Sequence, residues 1–286
     1  MNRFAKQSVV VISLIAVAAI VRGDEPAKAA NAGNLRTDIE FAKVGDASLT
    51  LDAFVPQGDG PFATCILVHG GGFVRGDKQM FIKPLFSPLS AAGFTWFSIN
   101  YRLAPEHRFP ACADDVETAV KWVKSHAKEY KVDLHRIALI GESAGGHLVS
   151  YVGCKSGPEL GLAAVVPFYA PHDLEFSVKS RNALGESMQA LLGLTELNDD
   201  ALKRLREASP STYIRSGLPP FLLIHGDKDS QVPYAQSPRF QGRMRAAGNV
   251  CDLITITDGG HGMGGWEKLK SDYQEQLIAW LRKTLK

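Results

Sequence analysis

Ile137-Ala138-Leu139-Ile140-Gly141-Glu142-Ser143-Ala144-Gly145-Gly146-His147-Leu148 is the stretch on which the reading of this chain turns. The apolar run before Gly141 predicts a strand over Arg136 to Ile140 buried on both faces. Gly141-Glu142-Ser143-Ala144-Gly145 then has the form of a strand bending sharply into a helix, with serine at the bend. Small residues on either side let backbone segments approach where side chains would collide. Such a bend holds the Ser143 hydroxyl out for attack. The helix it opens, Ala144 to Cys154, offers free amides toward developing negative charge.

A plain serine hydroxyl attacks carbonyls poorly, so an imidazole must take its proton and a carboxylate must orient that imidazole. Eight histidines are available, and position must discriminate among them. His261, in Asp258-Gly259-Gly260-His261-Gly262, lies in a glycine-rich loop that can carry a ring over the end of a sheet. His69 and His225 each end a strand before glycine and suit hydrogen bonding to the backbone near the site. His147 is one turn after Ser143 and suits packing. Two aspartates compete as the orienting acid, Asp227 and Asp229, both after the strand Phe221 to His225. Spacing does not choose between them, and Asp258 is a third candidate. The run Gly70-Gly71-Gly72 after the strand Thr64 to Val68 is poor secondary structure. Its amides, with that of Ala144, can receive a negative oxygen. A phosphate-cradling role lacks both the Walker lysine-serine pair and the G-x-G-x-x-G spacing.

Working outward, Ile39 to Val44 and Leu49 to Val55 can pair around Gly45-Asp46. Phe94 to Asn100, Ala163 to Phe168 and Leu253 to Ile256 read as further strands. Helices are expected over Met80 to Ala92, Val116 to Glu129, Ala235 to Ala247 and Trp266 to Leu285. Strands alternating with helices predict an α/β fold with a mainly parallel central sheet flanked by helices. Residues 171–217 exceed an ordinary crossover and contain helical pieces at Ala190 to Leu194 and Asp199 to Glu207. We expect a small lid or pocket wall there, over the carboxyl ends of the strands, within one domain over 36–286.

Lys+Arg number 32 against 30 for Asp+Glu, so the chain is nearly neutral and no basic block argues for a nucleic-acid partner. Arg3 and Lys6 precede an apolar run from Val9 to Val21. That run is short of the roughly 20 apolar residues a spanning helix needs. It reads as a signal peptide over 1–23, followed by a flexible leader over 24–35. The rival reading is an uncleaved anchor. The expectation is a secreted or periplasmic protein with no stable membrane partner; oligomeric state is open. Cys65, Cys112, Cys154 and Cys251 lack the close spacing of a zinc site, and we expect no disulfide framework, with a single bridge left open.

Together the motifs resemble the α/β-hydrolase fold, specifically esterases like the hormone-sensitive lipase group and the related BD-FAE-like secreted carbohydrate esterases. The residues that carry the resemblance are His69-Gly70-Gly71-Gly72-Phe73, Tyr101 to Ala111, Gly141 to Leu148, Asp229-Ser230-Gln231-Val232-Pro233 and the glycine-flanked His261. It implies Ser143 as nucleophile, His261 as base and Asp229, three residues before the Val-Pro pair, as acid. It implies an oxyanion hole of Gly71, Gly72 and Ala144, with Phe73, Glu142 and Met263 at the substrate. Either Asp114 or Asp115 would support the Tyr101 to Ala111 loop. No cofactor or metal is implied. The large N-terminal helical cap of the lipase-like members is missing, which points to short acyl esters, on a small molecule or on plant polysaccharide as acetyl or feruloyl groups. General small-molecule esterase or lactonase activity, and amide hydrolysis of the arylformamidase or peptidase kind, are the alternatives.

Overall fold

The computed structural model describes Met1 and residues 33–286; apart from Met1, the expected signal peptide lies outside the described residues. Eight strands form one sheet: β1 (Gly33–Val44), β2 (Ala47–Pro56), β3 (Phe62–Val68), β4 (Thr95–Ile99), β5 (Val132–Glu142), β6 (Ala164–Phe168), β7 (Phe221–Gly226) and β8 (Cys251–Ile256). Their order across the sheet is β1-β2-β4-β3-β5-β6-β7-β8. The β1–β2 and β2–β4 pairs are antiparallel, and every later pair is parallel. Mainly parallel character follows from the helical crossovers between β3 and β8.

The parallel strands are continuously apolar because both faces are covered: β4, β6 and β7 are buried at every position. Alternate residues feed two cores, as the period of two requires. Ile66, Val68, Leu139 and Leu223 join one core, with α2 (Ala111–Ser125) and α3 (Ala144–Lys155). Cys65, Leu67, Ala138, Ile140 and Ile224 join the other, with α1 (Phe86–Ala91) and the C-terminal helices. All four cysteines are free and buried, where Cys112 and Cys251 are pushed up to about 12 chiefly by desolvation. They act as small apolar side chains.

Several boundaries differ from expectation. β1 begins at Gly33, inside the segment read as leader, because Asn34 and Leu35 pair with Val55 and Phe54. The helix expected over Met80 to Ala92 is reduced to a 3₁₀ turn at Lys83–Leu85 followed by α1, since Pro84 and Pro88 have no N–H to give earlier α-helical bonds. α2 starts at Ala111 behind Pro110, with Asp114 in its favourable first turn. The last helix is two: α8 (Trp266–Leu269) and α9 (Tyr273–Thr284). Lys270 leaves helical geometry between them, and Trp266 and Tyr273 both turn inward, edge to face at 5.7 Å.

Residues 171–217 contain α4 (Leu174–Arg181), α5 (Glu186–Leu192), α6 (Asp199–Glu207) and a short turn at Pro210–Tyr213. α4 was not expected. Gln236, at the start of α7 (Gln236–Ala246), clasps the root of this insertion: its side chain accepts from the amides of His172 and Asp173 and donates to Asp173 O and Ser177 Oγ. Farther along, Phe109 N–H donates to Leu191 O at 2.9 Å, and Arg204 reaches Leu192 O. The insertion is thereby fixed over the end of the sheet that carries Ser143.

Candidate active site

Ser143 joins β5 to α3 with φ 53° and ψ −116°, a strained geometry of the kind that costs about 1–3 kcal/mol and persists only where surroundings enforce it. They do so here. Ser143 N–H donates to Phe168 O at 3.0 Å, and the helix then passes tight against β3. A Cβ at Gly145 would stand 2.1 Å from Val68 O, so only glycine allows this approach.

Ser143 Oγ lies 2.9 Å from His261 Nε2, and His261 Nδ1 lies 2.7 Å from Asp229 Oδ2. A carboxylate only accepts, so Nδ1 carries the hydrogen and Nε2 is free to accept from the serine hydroxyl. The Asp229 side chain is fully buried, while that of His261 keeps 12% exposure toward solvent. Burial alone would raise the Asp229 carboxyl. Donation by His225, His261 and the Val232 amide outweighs that effect and holds it well below the usual carboxylate range.

Position separates the two aspartates: Asp229 meets His261, and Asp227 does not. Asp227 turns away and accepts from Asp258 N–H at 2.8 Å, stitching the turn after β7 to the turn after β8. Asp258 therefore has a backbone role. His225, which the sequence suggested only as a backbone partner, is a further member of the site. Its Nε2 faces both Asp229 Oδ2 at 3.2 Å and Val232 O at 3.1 Å, and its Nδ1 is 2.8 Å from Ser237 Oγ. Because Nε2 meets two acceptors it carries the hydrogen, and Nδ1 accepts from Ser237. The spacing His225-x-x-x-Asp229 was the available clue.

The Gly70–Gly72 loop, expected to receive the oxyanion, is anchored from several sides. Tyr101 stacks on His69 at 4.3 Å, and its hydroxyl donates to His69 O and Gly70 O, both at 3.1 Å. Burial pushes His69 down to about 4, so it is a neutral ring donating from Nδ1 to Gly70 O at 2.8 Å. Ala104 N–H holds Phe73 O at 2.9 Å. Asp115, rather than Asp114, secures the supporting loop: it accepts from Arg102 N–H, Nε and a terminal guanidinium nitrogen at 2.7–3.0 Å. Gly71 and Gly72, both at positive φ, follow this anchored segment, and Ala144 starts α3.

The three side chains expected at the substrate lie lower than expected. Phe73 is 2% exposed and packs edge-on against His147 at 5.2 Å. Met263 is buried in the core beside Trp266. Glu142 is 3% exposed, beneath the elbow. All three side chains are buried and pack behind the cleft. The His147 ring donates from Nε2 to Ala208 O at 2.9 Å. Ser187 of α5, by contrast, comes to the cleft unanticipated: its hydroxyl is 2.7 Å from where a Cβ on Gly72 would stand.

Against known proteins, the family model BD-FAE matches residues 51–244. The esterase LipC of Mycobacterium tuberculosis is 31% identical over 71% of this chain and 53% of its own length. An acetylxylan esterase of Xylanibacter ruminicola is 29% identical over 83% of this chain and 48% of its own. The chain thus spans about half the length of these relatives. Among solved structures, a truncated carbohydrate esterase from gut microbiota superposes with a TM-score of 0.77 at 24% identity, covering 89% of this chain and 97% of that one. Thermogutta terrifontis esterase 2, solved phosphonylated by cyclosarin, gives 0.65 at 25% identity over 87% and 91%.

Proposed function

We propose that this chain, which belongs to the BD-FAE family, is a serine carboxylic ester hydrolase acting through an acyl-enzyme on short acyl esters. The observation that carries the reading is the unbroken relay from Ser143 Oγ through His261 to the buried Asp229. In the first step Ser143 attacks the ester carbonyl while His261 Nε2 takes its proton. The resulting imidazolium is stabilised by Asp229, and the amides of Gly71, Gly72 and Ala144 receive the oxyanion. His261 then gives the proton to the departing alcohol. Water, deprotonated by the same nitrogen, attacks the acyl-serine, and collapse returns the proton to Oγ with release of the acid.

The substrate class is drawn from the relatives and from the site. An acetylxylan esterase and a carbohydrate esterase are among the similar proteins, and Ser187 stands close over Gly72, narrowing the cleft beside the oxyanion loop. Acetyl esters of plant polysaccharide fit this best, with feruloyl esters next. Export to a periplasmic or extracellular setting rests on residues 1–23 and suits a polymeric substrate. Among the described residues no helix is long and apolar enough to cross a membrane.

Ser143→Ala is expected to fold normally and to lose at least about 10³-fold in kcat with p-nitrophenyl acetate. Undiminished turnover by the purified variant would remove the serine from the mechanism. Acetate release from acetylated xylan, compared with cleavage of methyl ferulate and of p-nitrophenyl esters of increasing length, tests the substrate class. Cleavage of aryl esters alone would contradict the polysaccharide assignment.

A further inference from the structure

Glu142 is a buried carboxyl group that the reaction above does not use. It is the last residue of β5, and one carboxylate oxygen accepts from Gly70 N–H at the entry to the oxyanion loop. The contact is close: a Cβ on Gly70 would lie 2.2 Å from Glu142 Oε1, so any other residue there would displace the carboxylate. The Tyr169 hydroxyl approaches the same carboxylate, and the Met263 amide approaches that hydroxyl. Met263 is two residues from His261, and the Tyr169 ring packs edge-on against the His261 ring at 4.8 Å. One carboxylate therefore stands where the nucleophile elbow, the oxyanion loop and the base-bearing loop meet.

We propose that Glu142 is a positioning residue whose ionised carboxylate holds the oxyanion loop and the His261 loop in register with Ser143, and whose protonation loosens that alignment. The inference rests on the ester-hydrolase reading. Its physical basis is that both groups aimed at the carboxylate are donors. An ionised group accepts from both, whereas a protonated one brings a hydrogen of its own into a site with too few acceptors.

The ionisable neighbours fix where this happens. Desolvation raises the Glu142 carboxyl to about 7, against the opposing pull of Gly70 N–H, the Tyr169 hydroxyl and the charge of His261. Tyr101 and Tyr169 face it from the loops after β4 and β6, and burial pushes both phenols well above 10, so they stay neutral donors. Glu142 is then charged and aligned above pH 7 and progressively neutral below it.

The test is kcat and KM for p-nitrophenyl acetate from pH 5.5 to 9 in the wild type, Glu142→Gln and Tyr169→Phe. Glu142→Gln mimics the neutral acid. It is expected to lower kcat roughly 10- to 100-fold above pH 8, with KM little changed, and to approach wild-type turnover below pH 6. Tyr169→Phe removes a donor that favours the carboxylate and is expected to move the acid limb of the wild-type profile to higher pH. A wild-type-to-Gln ratio that does not vary with pH overturns the proposal, as does full activity of the Gln variant throughout. If Glu142→Gln fails to fold, an unmoved limb in Tyr169→Phe overturns it alone. Failure of the ester-hydrolase reading looks different: the wild type cleaves no ester, or Ser143→Ala matches it, and both readings then fall.

Discussion

Four N–H groups converge on Asp229. Gln231 and Val232 amides donate to Oδ1 at 2.8 Å each, and His261 and His225 reach Oδ2. That arrangement fixes the carboxylate in one rotamer and keeps it ionised. An amide in its place would offer N–H where acceptors are required, so Asp229→Asn is expected to lower kcat roughly 10³- to 10⁴-fold. Asp227 makes a single contact that an amide oxygen can reproduce, and Asp227→Asn is expected to stay within about tenfold of wild type. Equal losses in steady-state assays of the two variants, or the reverse order, would reassign the acid. His225 supplies one charge-assisted hydrogen bond, a contact worth about 1.5–3 kcal/mol. His225→Phe should cost roughly 10- to 100-fold in kcat, and an unchanged kcat would reduce it to a packing residue.

At the scale of elements, the elbow shows how much local sequence determines. Gly141 and Gly145 flank the bend because backbone comes within contact distance of both, and that demand is visible in the sequence as small residues around Ser143. Gly145→Val is expected to lower Tm by well over 5 °C and to abolish turnover, as judged by thermal unfolding and ester assay. Unchanged stability would mean that α3 does not press on β3 as described. The buried strands were legible for a similar reason: continuous apolar runs such as Phe221 to Ile224 have few other uses. What could not be read locally were helix limits set by tertiary packing. Trp266 to Leu285 has helical periodicity throughout, yet burying Trp266 and Tyr273 together requires the break at Lys270. Nor did spacing separate Asp227 from Asp229, because their difference lies in what the β8 loop brings opposite each of them.

For the molecule as a whole, buried ionisable groups couple stability to pH. His69 and His147 are pushed down to about 4 by burial, and His172 well below 6.5. His172 stacks on Phe240 at 4.1 Å, with neither ring nitrogen hydrogen-bonded. A histidine depressed in the folded state binds its proton more readily when unfolded. Its contribution is therefore present above about pH 6.5 and is lost as pH falls toward the folded value, by about 1.4 kcal/mol per pH unit for each such group. Glu142 acts in the opposite sense between about 4.5 and 7, since its folded value is raised, and offsets about one histidine's slope there. Urea unfolding is expected to show stability declining between pH 6.5 and 4.5. His172→Phe should flatten that decline by about one proton's worth, and an unaltered slope would contradict a neutral buried His172. These histidines come from α3 and from the loops after β3 and β6, so their burial depends on the layered architecture and on the insertion clasped by Gln236. Sequence alone placed His69 and His147 near the site without revealing the cost of charging them, and it carried no such signal for His172.

The claim underlying the whole account is that the Ser143 hydroxyl is the nucleophile activated by His261. Paraoxon phosphorylates an activated serine and leaves a stable adduct, so mass spectrometry of the digested, treated protein reads the claim directly. The expected result is a single diethylphosphoryl group on Ser143, formed in step with loss of esterase activity and absent from His261→Ala. An adduct on another residue, or full inactivation with Ser143 unmodified, would contradict the account.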